Sequence, residues 1–234
     1  MIRNSGAFFK GLAIAGCFFG LLFLIFSPVF GDGKNGLVYA DDMFNKLAKG
    51  SSHFIPTLIE GNKKKGERPI SVTITMDKPE EADLAGKLFN AAGIKAGVDK
   101  GAITVEGSLG KLLEVVLNDS EVMFQNDGEK IALKYNQPGK VVMKTWWGAL
   151  SKMVKKLEKD GKLKEAKDVN AVVKKAVEPA YNFYGIQPQK VSDKILLMAG
   201  LLVFYVFYTI MWGYAIFFVF EGLGLSMKKA KHKH

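Results

Sequence analysis

The sequence predicts an α+β protein in which a sheet domain and a basic helical hairpin are held outside the membrane between two transmembrane helices. Three observations predict it. Two uncharged apolar runs, residues 11–30 and 195–220, lie near the two ends of the 234-residue chain. From Ile70 onward, segments with a strand period alternate with segments of helical period. After Pro138 the period becomes helical and the charge turns basic: residues 31–140 hold 15 Lys/Arg against 16 Asp/Glu, whereas residues 141–194 hold 12 against 6.

Residues 1–10 form a basic N-terminal tail with Arg3 and Lys10 and no acid. Residues 11–30, GLAIAGCFFGLLFLIFSPVF, reach about 30 Å as a helix, close to the hydrocarbon thickness of a bilayer. Within them IAGCFFG supports three readings. It resembles an acylation box ending at Cys17. It also fits the core of a cleavable signal peptide, with VFG before Asp32 or VYA before Asp41 as the cut. In a retained helix, Gly16 and Gly20 form a G-x-x-x-G contact motif. Retention is the simplest account, because acylation at Cys17 would leave the lipophilic FFGLLFLIF as the start of the mature chain. Gly200 and Gly213 of the second apolar run are then the nearest candidate partners for Gly16 and Gly20.

Residues 31–69 read as an irregular linker. GDGKNG is turn-rich, Asp41 or Asp42 caps a short helix ended by Gly50, HFIPTLIE looks extended, and GNKKKGERP is a polar loop. Residues 70–137 read as the sheet domain. ISVTITM is a strand, and DKPEEADLAGKLFNAAG is a helix with Pro79 in its first turn and Gly93 as its stop. IKAGV and AITVE form a hairpin around DKG. Ser108 caps a helix whose apolar face is Leu109, Leu112, Leu113, Val116 and Leu117, and EVMF and KIALKY form a second hairpin around QNDGE. Without the last strand this is the β-α-β-β-α-β order of ferredoxin-like domains. Small envelope domains that bind peptidoglycan share that order; the similarity is one of topology alone.

Residues 138–190 read as two basic amphipathic helices. Trp146, Trp147, Leu150, Met153, Val154 and Leu157 share one face, and Lys152, Lys155, Lys156 and Lys159 the other, up to the break at Asp160-Gly161. A second helix ends near Glu178 with Lys174 and Lys175 outward. Lys152, Lys155, Lys156, Lys174 and Lys175 are the candidates for meeting lipid head groups or a partner. The two helices are expected to pack as a hairpin beneath the sheet, the alternative being to lie on the membrane with tryptophans inserted.

Residues 194–220 form the second transmembrane helix, with Ser192 as a cap; its apolar run of about 39 Å exceeds the bilayer core. Tyr205, Tyr208, Trp212 and Tyr214 are spread along it instead of gathering at its ends, which points some of them at protein. Residues 221–234 are a basic tail opened by Glu221. That carboxylate reads as interfacial, beside Lys228 and Lys229, the alternative being an intramembrane ion or proton site. Basic flanks on both spans place both termini in the cytoplasm and the central domain on the far side of an inner (plasma) membrane.

Ligands for chemistry are scarce. The chain has one cysteine and three histidines, His53, His232 and His234, with no zinc, haem or redox spacing. Asp41/Asp42 and Glu80/Glu81 stand at helix starts, where the helix dipole accounts for them. No cofactor, metal, nucleic acid or small-molecule substrate is expected. The expected function is therefore a non-catalytic accessory or scaffold subunit of a membrane assembly, with membrane proteins and the bilayer as partners. A module binding peptidoglycan or anionic lipid is the alternative, and transport or energy coupling through Glu221 a third reading.

Overall fold

The computed structural model describes residues 2–225, which divide into two compact units: residues 2–47 with 190–225, and residues 48–189. The basic tail, with Lys228, Lys229, His232 and His234, lies outside the described residues.

The first unit is built on α1 (Ser5–Phe26) and α10 (Ile195–Gly222), two helices long and apolar enough to cross a membrane. Asn4 caps α1 by accepting from the Ala7 amide at 3.1 Å. The helix stops at Ser27, whose hydroxyl donates to the Phe23 carbonyl, because Pro28 cannot continue the ladder. The two helices are antiparallel neighbours: the amides of Arg3 and Asn4 donate to the Gly222 carbonyl at 2.8 and 3.0 Å. Midway, Phe18 stacks on Tyr208 at 4.2 Å and lies 4.6 Å from Trp212.

The close approach between these helices is not where G-x-x-x-G placed it. A Cβ on Gly16, Gly20, Gly200 or Gly213 would meet nothing within 4 Å, so none of the four contacts the other helix of the chain. A Cβ on Gly11 would instead lie 2.6 Å from the Val219 amide nitrogen, and one on Gly222 2.5 Å from the Phe8 Cβ. Phe18, Tyr208 and Trp212 fill the middle of the pair with rings, and the close approach falls to Gly11 and Gly222 toward the end where Arg3 and Asn4 meet Gly222. Gly11→Leu is expected to cost roughly 1–3 kcal/mol by overpacking, whereas Gly16→Leu is neutral. With cysteines introduced at Asn4 and Leu223 in a Cys17→Ser background, disulfide formation in detergent should slow in the first variant only.

Past α1, Gly31–Gly33 make a short 3₁₀ turn in which Asp32 takes φ 62°. The second helix, α2 (Gly36–Ser51), is longer than expected and starts earlier, because the Asn35 side chain accepts from the Val38 amide at 2.9 Å. Asp41 and Asp42 therefore lie inside the helix. Asp42 pairs with Lys34, whose hydrogen bond holds the carboxyl below its usual range, and Asp41 accepts from Asn45 at 3.0 Å.

The second unit opens with α3 (Ile55–Lys65), formed where an extended segment was expected. Pro56 fits a first helical turn, and Lys63, Lys64 and Lys65 sit at the favourable C-terminal end of the dipole. Next come β1 (Pro69–Thr75), α4 (Pro79–Ala91), β2 (Lys95–Asp99) and β3 (Ala102–Ser108), close to the sequence expectation. The sheet is antiparallel in the order β1-β3-β2. Lys100 and Gly101 at φ 46° and 87° make the tight β2–β3 turn.

From Ser108 the helices take over. Its hydroxyl accepts from the Lys111 amide and starts α5 (Leu109–Phe124). The expected last two strands are helical instead, so the ferredoxin-like order is not completed and the described sheet has three strands. EVMF simply extends α5, with Ser120, Met123 and Phe124 continuing its buried face. In QNDGE, Asn126 turns left-handed at φ 68° and Asp127 caps α6 (Gly128–Tyr135) by accepting from the Lys130 amide.

The rest of the unit is α7 (Gly139–Lys159), α8 (Leu163–Val172), a π turn at Val173–Val177 and α9 (Glu178–Asn182). The inner face of the sheet carries Ile70, Val72, Ile74, Ile103 and Val105, covered by α4 and α7. Trp146 of α7 is fully buried with its ring edge-on to Phe89 at 5.5 Å. The two basic helices thus belong to the core of one unit with the sheet, and Trp146 is not available to a membrane.

Candidate interaction site

Two buried charges in the 48–189 unit are consumed by structure. Asp119 of α5 accepts from Lys134 at 2.6 Å, from the Tyr135 hydroxyl at 2.5 Å and from the Trp146 ring at 3.3 Å. Burial, reinforced by Asp119, pushes the Tyr135 phenol far up, so it stays a hydrogen donor. Lys49 is 1 % exposed. Its ammonium donates to the Asn126 side chain at 2.8 Å and to the Phe183 and Ile186 carbonyls at 3.0 and 2.7 Å, over the Phe124 ring at 5.0 Å. Burial pushes its pKa down. A Cβ on the next residue, Gly50, would strike the Gln189 carbonyl, so the chain enters and leaves this unit side by side at the Lys49 knot.

The free chemistry gathers elsewhere, in a cleft of about 330 Å³ lined by Lys144 and Trp147 of α7, Val177 of the π turn, and Glu178, Tyr181 and Asn182 of α9. Its origin lies in Pro179. Proline offers no amide and crowds the carbonyl four residues back. The helix accommodates it by widening into the π turn, where the Glu178 amide reaches the Val173 carbonyl, and α9 then continues. This swings Glu178 beneath Trp147, whose indole donates to it at 3.0 Å. Burial opposes ionisation of Glu178, but hydrogen bonds from Lys174 and Trp147 outweigh it and hold the carboxyl below its usual range. Trp147 is 46 % exposed and Tyr181 37 %. Lys140 lies 5.5 Å over the Tyr181 ring and 5.9 Å over that of Tyr184. The cleft brings the exposed rings of Trp147 and Tyr181 together with the Lys144 ammonium, and Lys140 borders it over the Tyr181 ring.

The basic candidates do not form one free face. Lys152 pairs with Asp77 at 2.6 Å, Lys156 with Asp160 at 2.6 Å and Lys174 with Glu178 at 2.8 Å. Lys175 lies 5.7 Å over the Phe54 ring, and Lys155 is exposed. Glu80 and Glu81 stand in the first turn of α4. His53 stacks on Phe124 and meets the Glu121 carboxylate at 2.8 Å. Glu221 is exposed in the last turn of α10. Trp147 shares the apolar face of α7 by spacing, yet it stands half-exposed at the cleft; for Tyr181 the signal in the sequence is Pro179, placed directly after a helical run.

In the first unit, Tyr208 and Trp212 face α1, whereas Tyr205 is 65 % exposed and Tyr214 55 %. By helical rise, Tyr205 lies about 5 Å and Tyr214 about 8 Å from the midpoint of α10. Both therefore fall within a hydrocarbon core of about 30 Å when the helix is centred in it. Among the described residues neither hydroxyl has a hydrogen-bond partner.

Comparison of the chain with protein-family models, curated proteins and solved structures finds no match in any of the three.

Proposed function

We propose that the chain is a non-catalytic two-pass membrane protein, an accessory or scaffold subunit of an inner-membrane assembly. The observation that carries this reading is the pair of outward hydroxyls on Tyr205 and Tyr214. A polar group left unpaired in hydrocarbon is costly, and a helix of another protein supplies the missing acceptor. The antiparallel α1–α10 pair supports a topology with both termini on one side, and the basic flanks make that side the cytoplasm. The 48–189 unit then lies outside, as the assembly's extracytoplasmic interaction module.

A photo-crosslinking residue in place of Tyr205, activated in native membranes, is expected to yield a discrete protein adduct. Lipid adducts alone would refute the reading.

The cleft favours a second reading, in which the same unit binds an envelope polymer. Exposed Trp147 and Tyr181 offer stacking faces to sugars, and Lys140 and Lys144 offer charge to carboxylates. Sedimentation with cell-wall sacculi, lost on Trp147→Ala, is the outcome that reading requires.

A further inference from the structure

We propose that the groove between α1 and α10 seats one anionic phospholipid, with its phosphate on Lys10 and an acyl chain laid along the groove. This rests on the two-pass reading above. The groove has a volume of about 540 Å³ and is walled by Lys10, Ala13 and Cys17 of α1 and by Met211, Tyr214 and Phe218 of α10. Side-chain size explains it. Ala13 and Cys17, four residues apart, give one face of α1 short side chains, whereas Tyr214 and Phe218, also four apart, stand along α10 with their rings stacked at 6.1 Å.

Depth decides what can enter. By helical rise Met211 lies about 4 Å and Phe218 about 14 Å from the midpoint of α10, and Lys10 and Cys17 are about 10 Å apart along α1. In a hydrocarbon core of about 30 Å the groove therefore starts at the edge of the core and runs inward. The Lys10 ammonium rests 4.2 Å over the Phe218 ring, at this outer edge. Below it the walls are apolar except for the Tyr214 hydroxyl and the Cys17 thiol. A cation at the mouth and an apolar trough beneath it match an amphiphile with an anionic head.

The neighbouring charges leave Lys10 available. Among the described residues at this end they are Arg3 and Glu221 alone. Glu221 falls about 19 Å from the midpoint of α10, outside the core and beyond the mouth of the groove. Among the described residues Lys10 has no ion-pair partner; what it has is the Phe218 ring. A helix of another protein is the rival occupant, but it would have to bring a carboxylate to the depth of Phe218, where acids are scarce. A phospholipid carries its phosphate at that level by construction. Tyr205, nine residues from Tyr214 and so on the opposite side of α10, is left to a partner protein.

The test uses the full chain reconstituted in vesicles of equal parts phosphatidylglycerol and phosphatidylcholine with identical chains. In one preparation the first lipid carries a diazirine in its acyl chain, in the other the second does, and adducts are mapped by mass spectrometry after illumination. Adducts at residues 13–17 and 211–218 should favour phosphatidylglycerol by about fivefold, the worth of one lysine at an anionic surface, and those around Tyr205 should show no preference. Lys10→Gln should bring the groove ratio to one. Ala13→Leu should remove groove adducts of both lipids by filling the trough. The wild-type ratio decides by itself if a variant misfolds. Equal labelling by the two lipids, a preference that survives Lys10→Gln, or no lipid adducts in the groove, as when a protein helix or a second copy fills it, would each overturn the proposal. The crosslink from Tyr205 reads the other side of α10, so the lipid site and the protein partner fail separately.

Discussion

Replacing Lys49 by methionine is expected to cost roughly 2–4 kcal/mol and to release the segment that closes the 48–189 unit. Methionine nearly matches the lysine stem in volume, so the loss is one of hydrogen bonding and not of packing. Three acceptors, the Asn126 side chain and the Phe183 and Ile186 carbonyls, lose the ammonium that satisfies them. Asn126 keeps its own bonds to Gly185 and Ile186, so the loop has a partial hold but no longer one that ties it to α2. Amide exchange should accelerate first at residues 183–189 and spread to the end of α2. A global loss of protection with no local hierarchy would mean that Lys49 is not a knot but one contact among many.

Trp146→Ala is expected to be at least as damaging, at about 3–5 kcal/mol, because it empties the space between α4, α7 and the sheet. The ring is fully buried against Phe89, and it also supplies one of the three donors to buried Asp119. Its neighbour is the internal control. Trp147 is 46 % exposed and borders the cleft, so Trp147→Ala should change stability by less than about 1 kcal/mol while removing whatever the cleft binds. Thermal melts of the two variants, followed by near-ultraviolet circular dichroism, should separate by many degrees. Equal melting temperatures would contradict the packing described for α7.

The residues that were legible in the sequence are those whose pattern has one physical solution. Ile70, Val72 and Ile74 alternate with Ser71, Thr73 and Thr75, and only a half-buried strand satisfies that period. Pro79 and Ser108 mark helix starts because of what each does to an amide: one has none, and the other accepts from one. The misread segments have two solutions. EVMF and KIALKY are rich in residues that suit a strand or a buried helix turn equally well, and the choice fell to the long apolar face of α5, which gains Met123 and Phe124 by continuing. QNDGE then became a cap between helices instead of a hairpin turn, since a left-handed Asn126 and an acceptor at Asp127 serve either.

The sites depended on tertiary placement, which short-range patterns do not carry. Gly16 and Gly20 have the spacing of a contact motif, but the rings of Phe18, Tyr208 and Trp212 decide where two helices can close, and they closed at Gly11 and Gly222. Pro179 reads as a stop when only the local ladder is considered. In the fold it becomes a π turn, and that detour is what carries Tyr181 and Glu178 to Trp147.

The central claim is that the chain works as part of a membrane assembly, and its mass in mild detergent tests this most directly. Light scattering on the protein extracted from native membranes, corrected for bound detergent, should give a protein mass well above the 25.7 kDa of one chain, with a second polypeptide in fixed proportion. Substituting both Tyr205 and Tyr214 with phenylalanine should shift the material toward the single-chain mass while leaving the 48–189 unit folded. A wild-type protein that emerges as a lone 25.7 kDa chain under the mildest extraction would contradict the account.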